Sequence, residues 1–294
     1  MESNNKSVTS TSVTDFYSPG KGGGLLDIFR NRYLLNLLVR KELRVRYRGS
    51  ALGMLWSYVK PAVQFLVFYF AIGVFMGMNK AVPNFAVYLF SGVVANNFFS
   101  ETFGNCTRSI VSNSALVKKI YLPRELFCVS SLWVAAVHFF PQVAILLIGA
   151  LLMGWRPSLL NLASGVGGFA ILVVFSLGLG LLFGAVNVLM RDAENFVDLI
   201  NMIVTWASPI LYHWDFVVNA IGDGKLWFIY NLNPITPVVE MFHYCFWAPT
   251  SGVDYQFPPG ASTFVLLACV IALATLVIGE ITFRRLDGRF AQEL

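Results

Sequence analysis

The sequence predicts an all-α, polytopic membrane protein with six transmembrane helices. Three observations carry that prediction. Of the 294 residues, 56% are hydrophobic and only 13% are charged, and the mean hydropathy is +0.65, so lipid is the chain's main solvent. Long apolar runs recur at roughly 57–78, 85–105, 126–153, 163–190, 195–213 and 261–283. If all six cross, only Lys80, Arg156 and Lys225 of the 21 Lys and Arg face the opposite side, which places both termini in the cytoplasm by the positive-inside rule.

The order of segments begins with a polar tail. Residues 1–24 are rich in Ser, Thr, Asn and Gly, bury no apolar area and are expected to be disordered. From 25 to 56, Leu25, Ile28, Tyr33, Leu34, Leu37, Leu38 and Val45 recur at helical spacing against Arg32, Arg40, Lys41, Arg44, Arg46 and Arg48. This reads as a basic amphipathic helix on the cytoplasmic surface, where membrane lipids and a cytosolic partner, rather than nucleic acid, meet its charge. The chain begins with about 50 residues that do not resemble a cleavable signal, so the first span is expected to serve as the targeting element.

The first span is strongly aromatic, and steps of seven and four set Tyr58, Phe65 and Tyr69 on one face. Packing explains such a stripe as readily as a path for an amphipathic cargo. The second span carries Ser91, Asn96, Asn97, Ser100 and Glu101, polar groups that must face other helices or water. Residues 108–125 are too polar to insert and read as a short amphipathic cytoplasmic helix ending at Pro123. In the fourth span the spacing of Gly180 and Gly184 lets a neighbouring helix approach closely. Arg191, Asp192 and Glu194 then form a short charged turn that makes spans four and five antiparallel. Residues 227–247 are long enough to span but are interrupted by Asn233, Pro234, Pro237 and Glu240. Crossing would put Arg284, Arg285 and Arg289 outside, so the segment is expected to enter and leave the outer leaflet as two short helices. The sixth span, 261–283, returns the chain to a cytoplasmic tail, 284–294.

Catalytic chemistry is thinly supplied. His138, His213 and His243 are dispersed, there is no HExxH and no Cys/His ligand spacing, and the expected metal site is none. His213 and Asp215 are close enough in sequence to pair, but an interfacial pair beside Trp214 needs no catalytic role. Residues 20–24, GKGGG, lack the spacing of a phosphate loop, so the chain is expected to hold no ATP site and no cofactor of its own. The four cysteines sit in or beside spans, apart from Cys245 on the outward side, and draw no disulfide framework.

Several segments nonetheless resemble a known family. LVRKELRVRYRGSALGMLWSYVKPAVQF (38–65), YLFSGVVANNFF (88–99), SNSALVKKIYLPRE (112–125), NVLMRDAENF (187–196), SPILY (208–212) and LNPITPVVEMF (232–242) are similar, in order over roughly 25–290, to the membrane subunit of ABC transporters that export lipid-linked polysaccharides. The resemblance implies a bacterial cytoplasmic-membrane permease, a second copy of the chain, and two cytosolic ATPase subunits that bind ATP and Mg. It implies as cargo a glycan on polyprenyl diphosphate, such as an O-antigen, teichoic acid or cell-wall galactan. It further implies that 112–125 is a coupling helix seated against the ATPase through Leu116, Lys118, Lys119, Tyr121, Arg124 and Glu125, with Arg191 and Asp192 as a second contact. Arg40, Arg44, Arg46 and Arg48 would meet the diphosphate, Tyr58, Phe65 and Tyr69 would line a glycan channel, and the 227–247 helices would form an outer gate around Asn233, Pro234, Pro237 and Phe242. A permease for drugs or small lipids shares the six-span plan, and a membrane-embedded glycosyltransferase would need a carboxylate cluster that the outer loops do not supply.

Overall fold

A helix that carries polar groups along an apolar run must be wrapped by protein, and the computed structural model places such a helix, Phe85–Ser112 with Asn96, Asn97, Glu101 and Asn105, at the centre of the bundle. The structure describes residues 24–29, 31–119, 122–252 and 255–294. The tail expected to be disordered lies, Gly24 apart, outside the described residues.

Among the described residues the chain forms thirteen α-helices: α1 (Arg32–Arg46), α2 (Trp56–Phe68), α3 (Met78–Ala81), α4 (Phe85–Ser112), α5 (Ser114–Lys119), α6 (Glu125–Leu152), α7 (Leu159–Leu189), α8 (Ala193–Ala207), α9 (Trp214–Ile221), α10 (Lys225–Asn231), α11 (Ile235–Phe242), α12 (Ala248–Ser251) and α13 (Ala261–Glu293). Short 3-10 turns at Gly24–Phe29 and Gly53–Leu55 precede α1 and α2, and π-helical stretches Tyr69–Phe75 and His243–Trp247 extend α2 and α11. No strand occurs among the described residues.

Among the described residues, four helical stretches are long and apolar enough to cross a bilayer: Gly53–Phe75, Glu125–Leu152, Leu159–Leu189 and Ala261–Phe290. The other two expected spans lack that signature for different reasons. The run at 85–105 lies in α4, which has 28 residues but carries Asn96, Asn97, Glu101, Asn105 and Arg108. The run at 195–213 lies in α8, which stops at Ala207 after 15 residues and so rises only about 22 Å.

Helix α4 is buried along most of its length, against α6, α7, α8 and α11. Several of its polar groups find partners there: the Tyr88 hydroxyl lies within 2.9 Å of both the Pro209 and Tyr212 carbonyls, and the Asn96 amide donates to Thr205 at 3.0 Å. Between them, Phe98, Phe99 and Phe103 form an aromatic spine with Phe139, Phe169, Phe175 and Phe183. Helix α7 meets α4 and α13 through glycine. A Cβ on Gly180 would lie 2.4 Å from the Cβ of Cys106, and one on Gly178 would lie 2.6 Å from the backbone nitrogen of Leu276. The Gly180 and Gly184 spacing therefore admits α4, while Gly178 and Gly279 let α7 and α13 touch backbone to backbone.

The expected single helix over 25–56 is divided. Helix α1 ends at Arg46, and Gly49 at φ 74° and Gly53 at φ 50° turn the chain before α2. One side of α1 packs Leu34, Leu35 and Leu38 with Ile28 and Phe127 in a small core, while Tyr33, Leu37 and Val45 stay exposed beside its arginines. The C-terminal tail is also structured. Helix α13 continues unbroken to Glu293, with Phe283 and Phe290 fully buried in the same small core.

Replacing Gly178 by Ala is expected to lower the thermal stability of the purified protein, because the added methyl meets backbone that has no way to yield; the cost is on the order of 1–3 kcal/mol. Gly149→Ala, where nothing lies within 4 Å, serves as the control and should leave stability unchanged or slightly raised. Equal melting shifts for the two variants would contradict the close α7–α13 contact.

Candidate functional site

At the end of the bundle that carries α1 and α5, a polar cavity of about 830 Å³ opens between α1, α2, α4 and α6. Its wall is unusual for a membrane protein: Arg46, Lys60, Glu101, Arg108 and His138 line it together with Ser57, Asn97 and Gln142. Each element contributes for a local reason. The turn after α1 brings Tyr47 over the cavity, and α4 and α6 present polar residues at helical spacing toward each other.

A chain of hydrogen bonds crosses this space. Glu101 accepts from the Arg46 guanidinium and pairs with His138 Nδ1 at 2.7 Å, and His138 Nε2 lies 2.7 Å from the Tyr47 hydroxyl. Tyr47 also bonds Ser57 at the start of α2. With Glu101 ionised, His138 donates from Nδ1 and accepts from Tyr47 at Nε2, so the chain is satisfied with a neutral imidazole. The network ties α1 to α2, α4 and α6 at one point. Arg108 leans the other way and pairs with Glu194 at 3.1 Å and Asp198 at 3.5 Å on α8.

Of the four arginines expected to meet a diphosphate, only Arg46 lines the cavity; Arg40, Arg44 and Arg48 are exposed on and just after α1. The aromatic stripe is split between two settings. Tyr58 and Phe65 line an apolar cavity of about 270 Å³ between α2, α4 and α6. Phe65 and Tyr69 stack on each other at 5.9 Å and lie against Phe90 and Phe85 of α4. The exposed surface of α2 and its π-helical extension shows Val63, Phe70 and Phe75 instead.

The segment 112–125 contains α5, six residues long. Lys118 and Lys119 are exposed, Val117 is buried and Leu116 is half-buried in the small core. Tyr121 lies outside the described residues. Arg124 is held rather than free: its guanidinium pairs with Asp287 at 3.0 Å, bonds the Asp287 carbonyl and sits 5.7 Å from the Phe290 ring centre. Glu125 is buried at the start of α6. Arg191 and Asp192 are exposed in the three-residue turn between α7 and α8. From the α1 side, Lys41 bonds Asn113 and Glu42 accepts from it at 3.5 Å, which docks α1 on the base of α5.

At the opposite end the chain breaks at Leu232–Pro234 between α10 and α11. Asn233 makes the break possible, since its side chain accepts from the Ile235 amide at 3.1 Å and donates to Ser208 at 2.9 Å. Pro234, Pro237 and Phe242 are buried. A network not anticipated from the sequence follows on α11: Glu240 accepts from the Tyr255 hydroxyl at 2.7 Å and lies 3.4 Å from His243, whose ring stacks on Tyr88 at 3.8 Å. The i, i+3 spacing of Glu240 and His243 was its visible trace. His213 and Asp215 do pair, at 2.9 Å, beside a pocket of about 350 Å³.

Comparison with known proteins adds a family. The family model for ABC-2 type transporter membrane domains matches residues 33–247. The chain is 28% identical to the O-antigen export system permease protein RfbA of Klebsiella pneumoniae over 269 residues, covering 89% of this chain and 96% of the relative. It is 26% identical to the protein of the same name from Myxococcus xanthus, over 84% of this chain and 90% of the relative. It is 22% identical to the polysialic acid transport protein KpsM of Escherichia coli, over 69% and 77%.

Burial holds the Glu42 carboxyl above the usual carboxylate range, despite the hydrogen bond from Asn113 and the nearby charges of Lys41 and Arg46. A carboxyl with a raised folded-state pKa favours the fold when protonated, and that advantage is lost as the pH rises through the folded value. Glu42→Gln is therefore expected to raise the melting temperature at pH 7.5, with the gain shrinking toward pH 4. A lower melting temperature for the variant at pH 7.5 would show that attraction from Lys41 and Arg46 outweighs burial.

Proposed function

Given that the chain belongs to the ABC-2 type transporter family, we propose that it is the permease subunit of an exporter that moves polyprenyl-diphosphate-linked polysaccharide out of the cytoplasm. The observation that carries the cargo class is similarity over nearly the full chain to permeases named for O-antigen export, with a polysialic acid transport protein as a more distant relative. The polar cavity supports it chemically. A diphosphate needs cationic and hydrogen-bonding partners at the membrane surface, and the cavity offers Lys60 and amides beside an apolar recess for a lipid tail.

On this reading both termini and the cavity face the cytoplasm, α4 and α8 complete a six-span domain, and α10 and α11 form a re-entrant gate at the outer end. The charge distribution supports the orientation. Two copies of the chain enclose the pathway, and the exposed apolar faces of α2 and α8, including Phe70, Phe196, Met202 and Trp206, are suited to face the second copy or lipid. Two cytosolic ATPase subunits bind ATP and Mg and engage α5 and the Arg191–Asp192 turn.

The mechanism is a lever. ATP binding closes the ATPase subunits and displaces α5, and ATP shifts the equilibrium only by its differential affinity for the two conformations. Transmission then requires α5 to be firmly packed. Val117 in the small core, Asn113 bonded from α1 and Arg124 bonded to α13 supply that packing. The glycan threads between the two copies, where aromatic faces contact sugar C–H surfaces with little directional hydrogen bonding.

In vesicles containing the permease with its ATPase, Val117→Pro is expected to remove glycan-stimulated ATP hydrolysis, since proline breaks α5 and costs about 3 kcal/mol in a helix interior. Retained stimulation would argue against a helical lever. Replacing Tyr58, Phe65 and Tyr69 together by Ala is expected to reduce export several-fold more than hydrolysis, and equal export would remove them from the pathway. The proposal itself fails if the wild-type complex hydrolyses ATP in these vesicles but moves no lipid-linked glycan.

A further inference from the structure

Charge pairing inside the polar cavity singles out one residue. Three cationic side chains line it, and two are already engaged: Arg46 by Glu101 and Arg108 by Glu194 and Asp198. Lys60 is exposed, and among the described residues it has no ion-pair partner. It also stands where a charge is costly, one turn into α2, the least buried of the four apolar stretches. Besides the engaged charges, the same cavity wall offers uncharged hydrogen-bonding groups, Ser57, Gln64, Asn97 and Gln142. Pro61 beside it leaves the Ser57 carbonyl without its helical donor, since proline has no N–H to return.

We propose that Lys60 is the docking point for the phosphate of the carrier lipid, and that Arg46 is held back from it by Glu101. This rests on the reading of the chain as an exporter of lipid diphosphates and identifies the residue that reads the diphosphate. An anion entering the cavity meets one free ammonium, amide donors from Asn97 and Gln142, and next to them the apolar recess lined by Tyr58, Pro61, Phe65 and Ile145. The charged head and the isoprenoid chain then occupy adjoining spaces on the same side of α2. The arginines of α1 outside the cavity attract anionic lipid to the surface without selecting it.

The experiment uses the full-length chain in phosphatidylcholine nanodiscs with farnesyl diphosphate as the probe, and phosphatidic acid and farnesol for comparison. Lys60→Ala is expected to weaken farnesyl diphosphate binding about 10- to 100-fold, the cost of one charge-assisted contact, and Lys60→Arg to retain most of it. In the unaltered protein, farnesyl diphosphate is expected to shield Lys60 from an amine-reactive label, read by mass spectrometry, and farnesol is not. That second measurement stands even if Lys60→Ala fails to fold. Binding that Lys60→Ala leaves unchanged, or a Lys60 that labels equally with and without the diphosphate, overturns the assignment while leaving the exporter reading intact. No binding of farnesyl diphosphate to the unaltered protein overturns both. Phosphatidic acid binding as tightly, with the same dependence on Lys60, overturns the carrier assignment and makes the site one for ordinary lipid headgroups.

Discussion

The architecture depends on a single constraint: α4 carries amides, hydroxyls and a carboxylate into a chain whose surroundings are lipid. An unsatisfied polar group in hydrocarbon costs several kcal/mol, so α4 needs protein on every side. That requirement sets the positions of its neighbours. Helix α7 comes close enough through Gly180 and Gly184, α8 supplies Thr205 and Glu194, α6 supplies His138 and Gln142, and the irregular stretch 208–212 offers backbone carbonyls to Tyr88. The polar cavity is what remains where the wrapping is incomplete. On the side of α2, α4 faces open space, and there Asn97, Ser100, Glu101 and Asn105 line the wall.

Much of this was legible in the sequence, and the rest was hidden for physical reasons. Apolar run length gave the four helical stretches that are long and apolar enough to span, because bilayer thickness imposes a minimum that composition alone can meet. It was less informative for 85–105 and 195–213, where polar residues or an early stop replace the apolar signature. The helix breaks also differed in legibility. Asn233 and Pro234 announced the break between α10 and α11, whereas the end of α1 depended on Gly49 adopting a left-handed conformation, which glycine permits but does not require. Ion pairs were the least legible. Arg46 with Glu101 and Arg124 with Asp287 join residues 55 and 163 positions apart, and no periodicity reports such a meeting.

These long-range pairs give the α1 end of the molecule its character. Helix α1, α5 and the last turns of α13 are bound into one small core by Leu38, Val117, Phe127 and Phe290 and are pinned at its edges by Lys41, Arg124 and Asp287. A push on α5 therefore reaches α1 and α13 together. The Tyr47, His138 and Glu101 chain connects α1 onward to the bundle. In the proposed exporter, the bond from Tyr47 to Ser57 joins this unit to α2, the helix that carries Lys60, so that cargo in the cavity and nucleotide in the partner act on connected elements.

Depletion of the protein in its native cell asks whether the cargo is a lipid-linked glycan. Polyprenyl-linked glycan would be quantified on each face of the cytoplasmic membrane. Loss of a lipid-linked glycan exporter leaves the glycan accumulated on the inner face and depleted from the outer face, and the trapped sugar would identify the polymer. An unchanged distribution between the two faces would contradict a lipid-linked glycan cargo.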